Sequence, residues 1–475
     1  MLAAVPILLI LVLMIGLRTS AARADGIGLA VAIVLAWSSY GLGSSVLPEL
    51  GIGAAVGGAM TEAAFIAATI LWIIFPALCI HELQTRTGGM DVLQEAMARI
   101  TGDPRIMALL VAWFFVLFVE GAAGFGTSVA LAAPFLVSAG FGRVTAVSRI
   151  DRTCGRGIVR GRRNADPPQV TASGQDALSL AGATASYHVL LGWLMPLAIM
   201  LLAARALPGG VRGAPLWGWS LFAAVCFLLP YFLLARYVGP ELPTLGGALL
   251  GALVFAGVLR TVRGAVSGDR ASPIGRARLL RAGAPYLLLI VLVLATRLFA
   301  PLKAALASVS MSWTLAPFGG SMQVLYHPGT MLLASLLLTA LLTRISPSML
   351  ASVMGAIALR LLPVCASLIA MLGLSRVMVH AGMIDALAVA AAAGAGAMRP
   401  LFAPAIGVLG TFVTCSATTS NILLTEFQAA TARQLGLSVL GLSAAQGFGA
   451  AVGNIICPHN IRGRQCDRQS SRTRG

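Results

Sequence analysis

Charged residues are scarce in this chain. Only 10% of its 475 residues are Asp, Glu, Lys or Arg, whereas 58% are hydrophobic. Soluble domains carry about 25% charged residues, so a soluble globular fold is excluded. Apolar runs of about 17 to 25 residues, the length that crosses a bilayer, recur from the first residue to about residue 457. Lipid offers no partners to backbone groups, so the chain is predicted to be an all-α, polytopic integral membrane protein.

Sites for metals, nucleotides and nucleic acids are also lacking. The seven cysteines form no CxxC pair and no metal-ligand spacing, so neither a metal nor another cofactor is predicted. The net charge of +17 comes from arginines between apolar runs, which does not match a nucleic-acid surface. The glycines after Glu120 follow no strand and precede no lysine, so they are not a phosphate loop.

Connections between the apolar runs are too short for a soluble domain, so residues 1–475 are predicted to form a single membrane transport domain. The first run resembles a signal peptide but has no basic start, which favours a membrane helix. About 12–14 transmembrane helices are expected, two of them broken or re-entrant. The fourteen candidate spans are 2–17, 26–47, 56–80, 106–119, 122–142, 184–204, 216–236, 243–260, 284–300, 329–343, 361–379, 380–397, 401–425 and 436–457.

Arginine placement orients these spans, because positive charge accumulates in short cytoplasmic loops. The loop at 260–281 is the richest, and counting from it places Arg399 inside. Counting from Arg18 and Arg23 at the other end places Arg143 inside. The two counts are then inconsistent, because one crossing is missing between the two halves of the chain. The disagreement falls on residues 148–170.

Residues 148–170 and 461–475 are anomalous arginine-rich stretches. An arginine near a helix centre costs about 2.5–3.5 kcal/mol, so neither stretch can cross a membrane. They fit loops that bind anions or lipid headgroups, or ordinary cytoplasmic loops. The favoured interpretation is an altered translation frame that has replaced a helix and a final span, because it also explains the missing crossing.

The segment "FVEGAAGFGTSVALAAPFL", residues 118–136, combines a carboxylate with a helix breaker. An ionised carboxylate at membrane depth costs several kcal/mol unless it is paired, protonated or hydrated, so Glu120 is a functional candidate; the alternative places it at the membrane surface. Dense glycines and hydroxyls predict unwound backbone lining a cavity, although close helix packing is the other interpretation. The substrate-binding candidates here are Glu120, Gly121, Gly124, Gly126, Thr127 and Ser128.

A second interrupted segment is "LGTFVTCSATTSNILLTEF", residues 409–427. Its candidates are Thr414, Ser416, Thr418, Thr419, Ser420 and Asn421, although Ser and Thr also bond to their own helix. Each segment follows an arginine beside a proline and about fifteen apolar residues. Paired interruptions indicate a transporter's binding site, since half-helix N-termini attract anions. The arginine count gives both breaks the same orientation, which does not support an inverted repeat, and the symmetry stays open.

Isolated polar residues supply weaker candidates. Gln446 and Asn454 lie in the last predicted span, and His459 after it either relays protons or sits at the interface. Glu62 lies on a glycine-rich run. Arg376 either pairs with a substrate carboxylate or extends to the surface. Glu120 and His459 are the candidates for proton coupling.

The motif "VEGAAGFGTS" and the residues around it, 102–148, closely resemble the signature region of the bacterial L-lactate permease family. The stretches "QVTASGQDALSLAGATASYHVLLGWLMPLAIM", "SATTSNILLTEFQAATARQLGLS" and "AAQGFGAAVGNIICPHNI" are similar to later segments of that family in order. The resemblance covers nearly the whole chain, and departs from the family between Ser148 and Gln169 and after Asn460. It implies a multi-pass permease of the bacterial inner membrane that takes up lactate, and often glycolate, with a proton.

The primary hypothesis is a secondary permease for small 2-hydroxy-carboxylates that works by alternating access, without enzymatic activity. Its partners are the monocarboxylate, a proton and the lipid bilayer. A non-functional permease remnant is the alternative, because the two arginine-rich stretches interrupt the family pattern. An intramembrane enzyme acting on a lipid-linked substrate is disfavoured, since the carboxylates are isolated rather than paired.

Overall fold

A computed structural model of the chain describes residues 2–17, 19, 21–98, 100–123, 136, 167–205, 214–263, 275–315, 317–395, 399–414 and 417–453. Apart from one β-hairpin, the regular structure in these ranges is helical. The helices of the first half are α1 (Val5–Ile15), α2 (Ala21–Ser38), α3 (Gly51–Arg86), α4 (Gly89–Ala98), α5 (Pro104–Leu109), a π-helical turn (Leu110–Phe115), α6 (Val116–Ala123), α7 (Pro167–Ser173), α8 (Ala177–Gly192), α9 (Leu194–Arg205) and α10 (Trp217–Tyr237).

The second half follows the same pattern of long and short helices. Its elements are α11 (Pro243–Arg263), α12 (Arg276–Leu298), α13 (Ala300–Ala307), strands β1 (Ser310–Leu315) and β2 (Phe318–Gln323), α14 (Pro328–Leu342), α15 (Pro347–His380), α16 (Met383–Ala395), α17 (Arg399–Thr414), α18 (Ala417–Gln434) and α19 (Val439–Gly453). Within the described residues, six stretches of helix are long and apolar enough to cross a membrane, and several shorter apolar helices accompany them. The predicted all-α membrane fold is confirmed.

The two longest helices, α3 and α15, form an antiparallel pair. Near the start of α3, the carboxylate of Glu62 lies 2.8 Å from the imidazole of His380 at the end of α15. Near the end of α3, Arg86 donates to the hydroxyl of Ser352 at the start of α15, at 3.1 Å. The two helices therefore pack in opposite directions from Glu62 to Arg86 of α3.

The segments that follow α3 and α15 are laid out alike. Each long helix ends two residues before a glycine with positive φ, Gly88 (+70°) or Gly382 (+71°). Side chains are strained in this left-handed conformation, so glycine is the residue that ends a helix there. A short helix follows with an aspartate in its first turn, Asp91 or Asp385, and then the helix that leads to each predicted break.

The corresponding helices α3 and α15 run in opposite directions, as equivalent helices of an inverted repeat do. This direction favours the inverted arrangement, which the arginine count did not support. The count treated 361–379 and 380–397 as two crossings. The structure instead has one 34-residue helix, α15, followed by α16 with 13 residues.

Arginines mark one end of the bundle and the β-hairpin marks the other. Gln84, near the end of α3, donates to the carbonyl of Ala282 at 2.7 Å, which places the start of α12 with Arg278 and Arg281 at the same end. The hairpin pairs Ser310 with Gln323 through Leu315 with Phe318, and its turn packs on Gly58 near the start of α3. We refer to these as the arginine-rich end and the hairpin end.

The predicted span 401–425 is a helical hairpin rather than one crossing. Helix α17 ends at Thr414, and α18 begins at Ala417 and returns alongside it. Ser420 donates to the carbonyl of Gly407 at 3.1 Å, and Gln428 to that of Ala403 at 3.4 Å, so the two helices are antiparallel. This is the re-entrant form predicted for one of the two interrupted segments.

The predicted break after Glu120 lies mostly outside the described residues. The helix that starts at Pro104 continues through the π-helical turn and α6 to Ala123, so it is longer than the predicted span 106–119. The arginine-rich residues 148–166 and 461–475 also lie outside. From Gln169, where the family resemblance resumes, the chain packs into the bundle: the Gln169 amide is buried and donates to the carbonyl of Ser443 at 2.5 Å.

Candidate functional site

Four ionisable side chains from three helices meet toward the hairpin end, and we name them the charged cluster: Glu62 on α3, Arg376 and His380 on α15, and Glu426 on α18. The guanidinium of Arg376 lies 2.9 Å from the Glu426 carboxylate and 3.7 Å from that of Glu62. The other oxygen of Glu62 lies 2.8 Å from Nε2 of His380. The cluster therefore runs as one chain of contacts from His380 through Glu62 and Arg376 to Glu426.

The charged cluster is mostly enclosed by protein. Its side chains are only 11–18% exposed. The ring of Phe318, from the turn of the β-hairpin, packs edge-on against the ring of His380 with 4.6 Å between centroids. Gly58, one helical turn before Glu62, leaves room for that ring, because a Cβ at position 58 would lie 2.1 Å from it. The β-hairpin thus covers the cluster at its own end of the bundle.

Arg376 was expected either to pair with a substrate carboxylate or to extend to the surface. The residue is 9% exposed, and its guanidinium pairs with carboxylates of the protein itself, those of Glu426 and Glu62. Its Nε atom has no hydrogen-bond partner among the described residues, so the guanidinium keeps one donor unused.

A second polar group, the amide network of Ser420, Gln428 and Gln446, joins the helical hairpin to α19. The amide nitrogen of Gln446 lies 3.2 Å from the Ser420 hydroxyl. The amide oxygen of Gln446 accepts a hydrogen bond from the Gln428 amide at 3.3 Å. All three side chains are completely buried. The structure therefore brings together two predicted candidates, Ser420 and Gln446, from segments that are separate in sequence.

Close backbone contact holds α19 against the hairpin. A Cβ at Gly449 would lie 2.0 Å from the carbonyl oxygen of Pro404, and one at Gly407 would lie 2.5 Å from that of Gln446. Small residues allow this approach between helices in a membrane, where packing rather than hydrophobicity drives association. The same region holds buried hydroxyls without a partner among the described residues, namely those of Thr411, Thr425 and Ser443.

Glu120 lies inside α6 and is buried by protein, at 3% exposure. Its neighbour Gly121 packs on α11, where a Cβ would lie 2.7 Å from the backbone nitrogen of Leu245. Gly121 also lines a small cavity together with Glu241 and Pro328. The described end of the Glu120 segment therefore packs on α11.

The remaining candidates divide into three groups. Asn421 is buried, at 4% exposure, and Thr418 is half-buried, both in the first turns of α18. Thr414 is the last residue of α17, and Thr419 lies in the first turn of α18. Outside the described residues lie Gly124, Gly126, Thr127, Ser128, Ser416, Asn454 and His459.

Several polar residues of the site were not predicted: His380, Glu426, Thr425, Gln428 and Asp25. A signal for His380 was present, because it lies four residues after Arg376 and thus on the same helix face. Asp25, on α2, is 1% exposed and accepts from the Ser367 hydroxyl at 2.5 Å. Intramembrane carboxylates are functional candidates by default, and that rule applies to Asp25 and Glu426 as much as to Glu120.

A helical bundle with opposed repeats, a re-entrant hairpin and buried charges defines a multi-pass membrane transporter. The comparisons with known proteins give the family. The L-lactate permease family matches residues 1–318 and 316–463, so the chain belongs to the L-lactate permease family.

Curated relatives agree with this assignment. The chain is 30% identical over 395 residues to the L-lactate permease of Streptococcus iniae, covering 79% of this chain and 80% of the relative. It is 29% identical over 437 residues to the L-lactate permease of Escherichia coli K12, covering 82% and 77%. Glycolate permease GlcA of the same strain is 28% identical over 454 residues, again covering 82% and 77%.

Proposed function

We propose that the chain is a secondary permease of the bacterial inner membrane that takes up L-lactate, glycolate and related 2-hydroxy-carboxylates together with a proton. The observation that supports this most is the helical hairpin of α17 and α18. Its returning helix begins inside the protein, with Ser420 and Asn421 buried in its first turns. Relatives named for lactate and for glycolate indicate a small carboxylate with a neighbouring hydroxyl as the substrate.

The hairpin suits such a substrate for a physical reason. The first N–H groups of a helix have no intrahelical partner, and they carry the positive end of the helix dipole. A carboxylate placed at the start of α18 can accept from these groups. The polar side chains of Ser420 and Asn421 can then bind the 2-hydroxyl group, and Thr414, Ser416, Thr418 and Thr419 are the further candidates of this segment.

The Glu120 segment supplies the other half of the proposed path. Its candidates follow Glu120 in sequence: Gly121 lies within α6, and Gly124, Gly126, Thr127 and Ser128 lie outside the described residues. In alternating access, the two units move against each other around a fixed site. The arginine-rich end faces the cytoplasm in this scheme, because short cytoplasmic loops collect positive charge.

Uptake by the purified full-length chain in proteoliposomes tests the proposal. Labelled L-lactate should accumulate when the outside is more acidic. Unlabelled glycolate should compete, whereas acetate, which lacks the hydroxyl, should compete at least tenfold less well, because hydroxyl-binding groups would be left unpaired.

Variants locate the site in the same assay. Ser420→Ala and Asn421→Ala should each reduce uptake at least tenfold, about 1.4 kcal/mol. Ser348→Ala, at an exposed position of α15, is the matched control and should leave uptake unchanged. If the unaltered chain inserts into liposomes but transports none of these acids, it is a permease remnant and the proposed function is wrong.

A further inference from the structure

We propose that the charged cluster of Glu62, Arg376, His380 and Glu426 is the binding site for the coupling proton, with His380 and Glu62 holding it between them. This inference rests on the proposed function and assigns the proton to residues different from Glu120 and His459. It follows from the charges of the cluster, its contacts and its position in the bundle.

The charges of the cluster do not cancel without a proton. Two carboxylates and one guanidinium leave one negative charge when His380 is neutral. An uncompensated charge away from water is costly, and one bound proton would balance the charges of the cluster. The proton comes from water at the hairpin end and leaves to water at the arginine-rich end. One monocarboxylate and one proton then cross together without moving net charge.

The contacts give the proton a defined place. Nε2 of His380 and Oε2 of Glu62 are 2.8 Å apart, a normal hydrogen-bond distance. Histidine is the side chain whose charge changes most readily near neutral pH. The side chain of His380 is 18% exposed and its ring packs against that of Phe318, so movement of the β-hairpin would open the pair further to water at that end.

Arg376 connects this pair to the proposed substrate site. Its guanidinium lies between Glu62 and Glu426, at 3.7 and 2.9 Å. Glu426 is on α18, five residues after Asn421. When Glu62 and His380 lose their proton, Glu62 attracts Arg376 more strongly and competes with Glu426 for it. Protonation therefore changes the force on the helix that carries the substrate-binding candidates.

Other titratable groups near His380 do not replace this arrangement. Of the elements packed against α15 near His380, α3 contributes Glu62 and α18 contributes Glu426, whereas β2 contributes the uncharged Phe318. On α2, Asp25 bonds to Ser367, about three turns earlier on α15. On α16, Asp385 is exposed.

The test compares two transport modes of the full-length chain in proteoliposomes. Accumulation driven by a pH gradient needs a proton to be bound and released, whereas exchange of internal for external lactate does not. Glu62→Gln and His380→Gln should reduce gradient-driven accumulation at least tenfold and keep exchange within about twofold. Retained exchange also shows that the variants are folded. Glu49→Gln removes an exposed carboxylate just before α3 and should keep both modes.

Three results would overturn or redirect the inference. Normal gradient-driven accumulation by both variants excludes the cluster as the proton site. Loss of exchange in both variants, with normal exchange by Glu49→Gln, makes the cluster structural or part of the substrate site and also overturns the inference. Absence of both modes in the unaltered chain refutes the proposed function itself, a result that the variants alone cannot produce.

Discussion

Arg376 lies between two carboxylates in a protein interior with little water, so its removal should be costly. Breaking a buried ion pair by removing one partner typically costs about 3–5 kcal/mol, because the other charge stays buried. We expect Arg376→Gln to lower the free energy of unfolding by roughly that amount. Adding Glu426→Gln should recover part of the loss, because it removes one of the two carboxylates left without a cation. Unfolding in mixed detergent micelles measures both changes.

The chain offers a control pair of the same chemistry. Arg86 and Glu82, one turn apart on α3, are 2.8 Å apart but 35% and 28% exposed. Partly exposed pairs contribute at most about 1 kcal/mol, so Glu82→Gln, which keeps the bond from Arg86 to Ser352, should have a small effect. Equal effects of Glu82→Gln and Arg376→Gln would show that the charged cluster is not electrostatically buried.

At the scale of residues, the sequence singled out Ser420 and Asn421 as candidates because hydroxyls and amides are conspicuous in an apolar run. It ranked Gln446, Glu62 and Arg376 as weaker candidates and did not predict His380 and Glu426. The members of the charged cluster lie on three helices, and they are brought together by contacts between helices distant in sequence. Only the α3–α15 pairing brings Glu62 to His380.

At the scale of helices, the close contact between α17 and α19 depends on glycines, which have no side chain. In Gly449→Ala, the new Cβ would lie 2.0 Å from the carbonyl oxygen of Pro404, so the helices must separate. Overpacking of this kind costs about 1–3 kcal/mol. We expect a lower unfolding free energy and reduced lactate exchange, because α19 also carries Gln446 of the amide network.

Gly441→Ala on the same helix is the control. Its Cβ would meet Ser438 at 3.4 Å, an ordinary contact, and alanine favours helix over glycine. This variant should be neutral or slightly stabilised. If both variants behave alike, close approach of α17 and α19 is not needed for stability.

The helical hairpin shows what the apolar pattern of a sequence can and cannot predict about helices. A break near residue 415 was predictable, because polar residues concentrate there. The reversal of the chain was not, since apolar pattern gives the length of a segment and not its direction. The β-hairpin was not predicted, because it is short and lies between long apolar segments. Its position over the charged cluster follows from the contacts of Phe318 with Gly58 and His380.

At the scale of the whole molecule, the direction of each helix decides which end of the bundle Arg399 occupies. Helix α15 ends at the hairpin end, where Glu62 meets His380. In the corresponding unit, α4 stays at the end where α3 stops: Asp91 lines the same cavity as Arg278 and Arg281. By this correspondence α16 stays at the hairpin end, and Arg399 begins α17 there. The arginine count placed Arg399 at the opposite end because it counted 380–397 as a crossing.

Labelling of single cysteines in intact cells separates these two topologies. In a variant without the seven native cysteines, Arg399→Cys should react with a membrane-impermeant maleimide from outside. Ser312→Cys, on the exposed face of β1, should react in the same way, whereas Arg278→Cys should react only after the cells are permeabilised. If Arg399→Cys behaves like Arg278→Cys, then α16 crosses the membrane, and the opposed pairing of the two units ends at α15. If Ser312→Cys is protected as well, the whole orientation is reversed, and protons reach the charged cluster from the cytoplasm instead.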